Sequence, residues 1–207
     1  MTRILLIRHG RTAWNKEERF RGREELPLDE IGHAQVKALA RRLADEFPSL
    51  KAIYTSPLRR ARQTAAPIAT TFNLTVETHP GLIDIDYGDW QGLTPAEVSA
   101  RNPILYQTWV VAPAQVRFPG GETFSEVRLR ARAAMDGIAA HHPDQTVAIV
   151  SHLVVCRLLL CSVLEMPSSQ STLLCQATGC LNVLETVGTR VEIITMNDTC
   201  HLRGLDS

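Results

Sequence analysis

His9 and His152 each follow a short apolar run, with Arg8 directly before the first and Ser151 directly before the second. Between them, Leu58-Arg59-Arg60-Ala61-Arg62 sets three arginines within five residues. An imidazole serves as nucleophile or proton carrier, and guanidinium forks grip the oxygens of a phosphoryl group. Phosphoryl transfer asks for positioning and charge stabilisation more than for covalent activation. Two imidazoles, several guanidiniums and helix N-termini in one pocket are the parts it needs. Each part alone has an ordinary reading. A strand-end histidine is commonly structural or exposed, and the six basic residues from Arg8 to Arg23, set against Glu17 and Glu18, also describe a solvated face. Nineteen arginines to three lysines suit phosphate recognition and fit a chain-wide preference for arginine equally well. The inference rests on the combination.

For these groups to meet, the ends of separate strands must lie side by side. Ile4–Ile7 and Thr146–Val150 are short, unbroken apolar runs, the pattern of parallel strands covered on both faces, and Ala52–Thr55 also reads as a strand. From Asp29 to Phe47 the apolar Ile31, Leu39, Leu43 and Phe47 fall on helical spacing, with Asp29 as N-cap and Pro48 as the stop. Ser56-Pro57 predicts an N-cap followed by proline at the first helical position, opening a helix towards Phe72. Capping boxes at Thr94/Glu97 and Thr123/Glu126 predict two more helices, the second running to about His141, with a Pro/Gly-rich connector from Pro113 to Gly121 between them. An apolar helix starts at Leu153, and Leu181–Thr186 with Arg190–Thr195 reads as an antiparallel hairpin around Gly188-Thr189. Alternating strands and helices imply an α/β fold with a mostly parallel sheet, in which ligands bind beyond the carboxyl ends of strands. That rule gathers Arg8, His9, Ser56, the arginines after it, Ser151 and His152 at one edge.

The chain has 207 residues, which at roughly 150 residues per domain predicts a single domain over 1–207, with a helical sub-region at about 93–141 and the hairpin at about 181–195. Twenty-two basic residues balance twenty-two acidic ones, which argues against a nucleic-acid binder relying on a basic surplus. The N-terminal apolar run is too short for a signal-peptide core, and Leu153–Leu164, interrupted by Arg157, is too short to span a bilayer, so no membrane association is expected. Five cysteines without a C-x-x-C pair support neither a disulfide framework nor a zinc site. They read as reduced cytoplasmic thiols, with Cys156 and Cys161 in the core.

Arg8-His9-Gly10-Arg11-Thr12 with Asn15, Thr55-Ser56-Pro57-Leu58-Arg59-Arg60-Ala61 with Gln63-Thr64-Ala65, and Val150-Ser151-His152 resemble the histidine phosphatase superfamily, the phosphoglycerate-mutase-like proteins. Leu82-x-Asp84 leading to Gly88-Asp89-Trp90-Gln91-Gly92, and Gly120-Gly121-Glu122-Thr123, extend the resemblance in the family's order. It implies a three-layer α/β/α sandwich with helices on both faces of the sheet. It further implies that His9 is a nucleophile forming a phosphohistidine, that Arg8, Arg60 and His152 surround the phosphoryl oxygens, that Asn15 assists, and that no metal or other cofactor is required. Arg60 rather than Arg59 is assigned because it directly precedes Ala61. One carboxyl can protonate the leaving oxygen and later activate water. The family usually has glutamate two residues after the leucine, whereas this chain has Asp84, shorter by one bond of about 1.5 Å. Either the backbone compensates or Asp86 or Glu122 contributes. Trp90 beside two glycines reads as a packing anchor.

Within the superfamily, Leu82-Ile83-Asp84-Ile85-Asp86, the Phe118–Glu122 segment and the ending Asn197–Leu202 look most like the metal-independent phosphoserine phosphatases, which implies a homodimer acting on a small phosphomonoester. Tyr87, where that group tends to have histidine, and Arg21, where the wider family often has glutamine before Gly22, depart from the pattern. The candidate substrate-binding residues are Asn15, Arg21, Gly22, Tyr87, Glu122 and His201. Two enzymatic alternatives remain: a cofactor-dependent phosphoglycerate mutase, disfavoured by the short interval between Gly92 and Gly121, and a broad-specificity or alpha-ribazole-type phosphatase. A non-catalytic phosphate-binding module is the alternative outside enzymes.

Overall fold

The computed structural model describes residues 1–205 other than Lys16, Glu18 and Thr189. Strand β1 (Arg3–Arg8) lies inside the sheet because its Ile4-Leu5-Leu6-Ile7 run has no polar face to give to water. Two helices follow in alternation with strands, α1 (Glu30–Glu46), β2 (Leu50–Thr55), α2 (Arg59–Phe72) and the short β3 (Val76–Thr78). Helices α3 (Pro95–Arg101), α4 (Pro103–Val111) and α5 (Phe124–His141) come next, then β4 (Thr146–Ser151), α6 (Leu153–Val163), β5 (Leu181–Val187) and β6 (Arg190–Asp198). The six strands form one sheet in the order β3-β2-β4-β1-β5-β6. The first four in that order run parallel, and β5 and β6 are antiparallel to their neighbours.

The pleat divides β1 between two cores. Leu5 and Ile7 pack with Leu39 and Leu43 of α1 and Ala65 and Ile68 of α2 on one face, while Ile4 and Leu6 join Met135 of α5 and Leu158 of α6 on the other. The three layers are therefore those expected. Asp29 caps α1 by accepting from Gly32 N, and both expected capping boxes are formed. Cys156 and Cys161 are buried, and Trp90 is enclosed by Phe20 and Phe118 at ring separations of 5.2 Å. No helix among the described residues is long and apolar enough to cross a membrane.

Three local features differ from the sequence reading. Helix α2 begins at Arg59 with Leu58 at its N-cap and no side-chain cap; Ser56 lies two residues before that cap, where its Oγ meets Leu58 N–H at 3.3 Å and His152 Nε2 at 2.7 Å. Strand β3, with only Val76 of its three residues apolar, carried no signal. The hairpin extends to Asp198, and Thr189 of its expected turn lies outside the described residues.

Helix α1 approaches the segment after β1 closely enough that a Cβ at Gly32 would fall 2.2 Å from the Arg11 carbonyl oxygen, and one at Gly10 would fall 2.9 Å from the Gly32 carbonyl oxygen. The backbone just past His9 is thus seated on the first turn of α1. Gly32→Ala should destabilise the fold by about 1–3 kcal/mol, since the clash is with backbone and cannot be relieved by a rotamer change. Urea unfolding checks this, and an unchanged midpoint would show that the contact is loose.

Candidate active site

The carboxyl ends of the parallel strands converge as the rule for such sheets requires. His9 follows β1 and donates its backbone N–H to Ser151 O at 2.9 Å, Ser56 follows β2 and donates to Val150 O at 3.0 Å, and His152 follows β4. Arg60 enters from the first turn of α2, and Asp84 from the loop after β3. His9, Arg60 and His152 are almost wholly shielded from solvent, at 1%, 0% and 0% exposure. Asp84 and Arg8 lie in front of them on the wall of a cavity of about 470 Å³, together with Asn15, Arg19, Phe20, Arg21, Gly22, Tyr87, Pro95, Trp109, Leu153 and Val154.

The hydrogen bonds fix the state of each ring. His9 Nδ1 is 2.7 Å from the Gly10 carbonyl, which can only accept, so the proton sits on Nδ1 and the lone pair on Nε2. That lone pair faces Arg60 Nε at 3.3 Å. Burial, then Arg60 and Arg8, hold His9 well below the ordinary histidine value, so it is a neutral imidazole. At His152, Nε2 lies 2.7 Å from Ser56 Oγ, which also accepts from Leu58 N–H at 3.3 Å. The buried Nδ1 has no hydrogen-bond partner and points to Asp84 Oδ2 at 3.6 Å, and because a carboxylate oxygen only accepts, the proton is assigned to Nδ1 and the Ser56 hydroxyl donates to Nε2. Burial, Arg60 and His9 keep this ring neutral as well.

Arg60 is surrounded by acceptors: Glu24 O at 2.8 Å, Gly22 O at 2.8 Å and Asp84 Oδ2 at 2.9 Å. Gly22 holds a left-handed φ of +47°, and a Cβ there would meet Gln91 Oε1 at 2.7 Å, so its carbonyl can be presented to Arg60 only by glycine. Arg8 donates Nη1 to the Gln176 carbonyl and leaves a buried Nε unpartnered. Burial and the nearby Arg21 push its guanidinium down to about 10. A cluster of buried cations beside two neutral imidazoles is a site for an oxyanion.

The chain matches the histidine phosphatase superfamily (branch 1) over residues 4–199. It belongs to that family. By that membership it is a phosphatase, and its fold is the family's. Phosphoserine phosphatase 1 of Hydrogenobacter thermophilus is 35% identical over 206 residues, covering 98% of this chain and 95% of that one. A metal-independent phosphoserine phosphatase of Arabidopsis thaliana is 32% identical, covering 98% and 84%. The solved structure of Bacillus stearothermophilus YhfR superposes with a TM-score of 0.92 at 31% identity, covering 98% and 100%.

The structure brings together Arg8, His9, Arg60, Asp84 and His152, with Asn15, Arg21, Gly22 and Tyr87 lining the same cavity as Arg8 and Asp84. Arg59 is exposed. Burial, followed by Asp84, pushes the Tyr87 phenol up, so it stays protonated. Two expected substrate-binding residues lie elsewhere. Glu122 is held by Arg130 at 2.9 Å and Arg23 at 3.2 Å, and His201 bonds Arg42 and the Gly179 carbonyl; neither lines the cavity. The sequence reading missed Arg130 of α5, which donates to the carbonyls of Gly81, Ile83 and Asp84 at 2.9, 2.7 and 3.1 Å and so holds the loop that presents the carboxylate. Ser151 Oγ adds a bond to Leu82 O at 2.8 Å.

Two buried neutral histidines carry a pH consequence. Unfolded, each ring titrates near ~6.5, whereas both folded values are lowered. Below the unfolded value the unfolded chain binds protons that the native chain does not, so stability is lost as pH falls. Urea unfolding from pH 7.5 to 5 should show a decline approaching about 1.4 kcal/mol per pH unit for each ring. Nitrogen-15 spectra should show both imidazoles neutral at pH 6.5, and imidazolium shifts there would contradict the assignment.

Proposed function

We propose that the chain hydrolyses small phosphomonoesters through a phosphohistidine at His9, with phosphoserine the first candidate substrate. The observation carrying this is the His9 ring itself, whose Nδ1 proton is locked on the Gly10 carbonyl while its Nε2 lone pair faces the Arg60 guanidinium behind Asp84. In the first half-reaction His9 Nε2 bonds to phosphorus as the ester P–O bond breaks, and the leaving oxygen takes the proton of the Asp84 carboxyl. In the second, water attacks phosphorus, Asp84 recovers a proton from it, and the P–N bond breaks to return the neutral ring. Arg8, Arg60 and the His152 Nδ1–H donate to the phosphoryl oxygens, and Asn15 assists at the rim.

Asp84 is favoured over its neighbours because it alone of the three carboxyls lines the cavity. Asp86 Oδ2 pairs with Arg23 at 3.0 Å and its Oδ1 accepts from Gly88 N. At Glu122, burial works to raise the value, but Arg130 and the Asp86 N–H outweigh it and hold the carboxyl below its usual range, which suits an ion and not an acid. The naming of the Hydrogenobacter and Arabidopsis relatives supports phosphoserine, with Arg21 and Tyr87 as the groups meeting its amino-acid end.

Activity on p-nitrophenyl phosphate should survive exhaustive chelation and fall roughly a thousandfold or more in His9→Ala. A requirement for added magnesium or zinc would overturn the mechanism. Asp84→Asn should slow alkyl phosphates by about 10²–10⁴-fold while aryl phosphates, whose leaving groups need no proton, stay within about tenfold. Equal losses on both, read from steady-state kinetics, would move the acid role to another carboxyl.

A further inference from the structure

The loop from Gln176 to Cys180 supports the nucleophile from behind the cavity. At one end, the Gln176 carbonyl accepts from Arg8 Nη1, and its side chain forms a reciprocal amide pair with Asn182 of β5 at 2.9 and 2.8 Å. At the other end, the Gly179 N–H is shared between the carbonyls of Arg8 and His9, 3.1 Å from each, and Arg8 N donates to Cys180 O at 3.4 Å. Arg8 and His9 are therefore both fixed by one five-residue stretch. Gly179 takes a left-handed φ of +71°, which lets its N–H and carbonyl serve partners on different sides of the loop.

The carbonyl of Gly179 is held in turn. His201 Nε2 lies 3.0 Å from it, and His201 Nδ1 lies 3.2 Å from Arg42 Nη1. Arg42 can only donate, so Nδ1 accepts and the proton rests on Nε2, where it is given to Gly179. Arg42 is anchored to Asp198 at 2.6 Å and to Glu46 at 2.9 Å. A continuous chain of hydrogen bonds thus runs from two carboxylates through Arg42, His201 and Gly179 to the backbone of His9. Gln35 makes a tie from the opposite side, donating to Thr178 Oγ1 at 3.1 Å while accepting from Arg11 N at 2.9 Å.

We infer that His201, which does not face the cavity, is a positioning residue for the nucleophile: its Nε2–H holds Gly179 so that the Gly179 N–H keeps the Arg8 and His9 carbonyls in place. The inference rests on His9 being the phosphorylated residue. Displacement of a reacting group by ~1 Å costs on the order of a hundredfold in rate, and the tie that His201 supplies is two bonds from the His9 backbone. A tie of this kind acts on the rate of attack and leaves the affinity for substrate largely alone, because the ring does not line the cavity.

The test is rapid-quench phosphorylation of His9 by p-nitrophenyl phosphate, with kcat and KM measured alongside. His201→Ala should slow phosphorylation by about ten- to a hundredfold with KM changed less than about threefold. His201→Gln, whose amide can give N–H to Gly179 and oxygen to Arg42, should recover a rate within about threefold of the natural chain. Phosphorylation of the alanine variant within about twofold of the natural chain, a glutamine variant as slow as alanine, or a raised KM at unchanged rate would each overturn the inference. If the alanine variant does not fold, Arg42→Leu, which frees the ring to turn, should slow phosphorylation by at least about threefold, and an unchanged rate overturns the proposal. A natural chain that forms no phosphohistidine at His9 removes the proposed function together with this inference, whereas equal phosphorylation of natural and variant chains removes this inference alone.

Discussion

The guanidinium of Arg60 carries a full charge where solvent does not reach it, and the surroundings of the cavity follow from that burial. An uncompensated ion inside a protein costs several kcal/mol, so the fold has to bring acceptors to it. It does so from two directions. The stretch after β1 turns back to offer the carbonyls of Gly22 and Glu24, and the loop after β3 offers the Asp84 carboxylate. Two segments some sixty residues apart in sequence are thereby specified by one side chain. Arg130 grips the second segment from α5 and pairs with Glu122, which receives Arg23 from the first. Arg60 thus joins the two segments directly, and Arg130, Glu122 and Arg23 join them a second time through α5.

Among these ions the imidazoles stay neutral, and the same burial explains why. Charging either ring would add a third cation to a space already holding Arg8 and Arg60, in a medium poor at screening them. The two rings nevertheless do opposite work. His9 has its proton turned away to Gly10 and presents a lone pair, while His152 has its lone pair satisfied by Ser56 and presents a proton. One immediately neighbouring hydrogen-bond partner apiece is enough to divide the roles of acceptor and donor.

Much of this was legible in the sequence wherever the chain left a local signature. Apolar runs ending in Arg8-His9 and Ser151-His152 located the strand ends, and the capping boxes at Thr94 and Thr123 located helix starts, because those signals depend on neighbours within a few residues. Ser56 carries the local mark of an N-cap, but the helix starts two residues later at Arg59, and the contact of its hydroxyl with His152, ninety-six positions away, is one that local capping rules do not contain. Arg130 sits between Arg128 and Arg132 on α5, and nothing in their spacing tells which of the three turns to the Asp84 loop. Glu122 and His201 were placed by motif, which fixes a residue's order along the chain and leaves open which wall its side chain joins.

The position of β1 in the sheet has a consequence for how the chain comes into being. Strand β1 is synthesised well before either strand it pairs with, Thr146–Ser151 on one side and Leu181–Val187 on the other. Translation at about 5–20 residues per second leaves Ile4-Leu5-Leu6-Ile7 without either neighbour for roughly seven to thirty seconds after it emerges from the ribosome. That is long on the timescale of hydrophobic collapse. A four-residue apolar segment bracketed by Arg3 and Arg8 carries its own flanking charges, which oppose self-association during that interval. The arginine that closes the strand thus serves the nascent chain before there is a pocket for it to line.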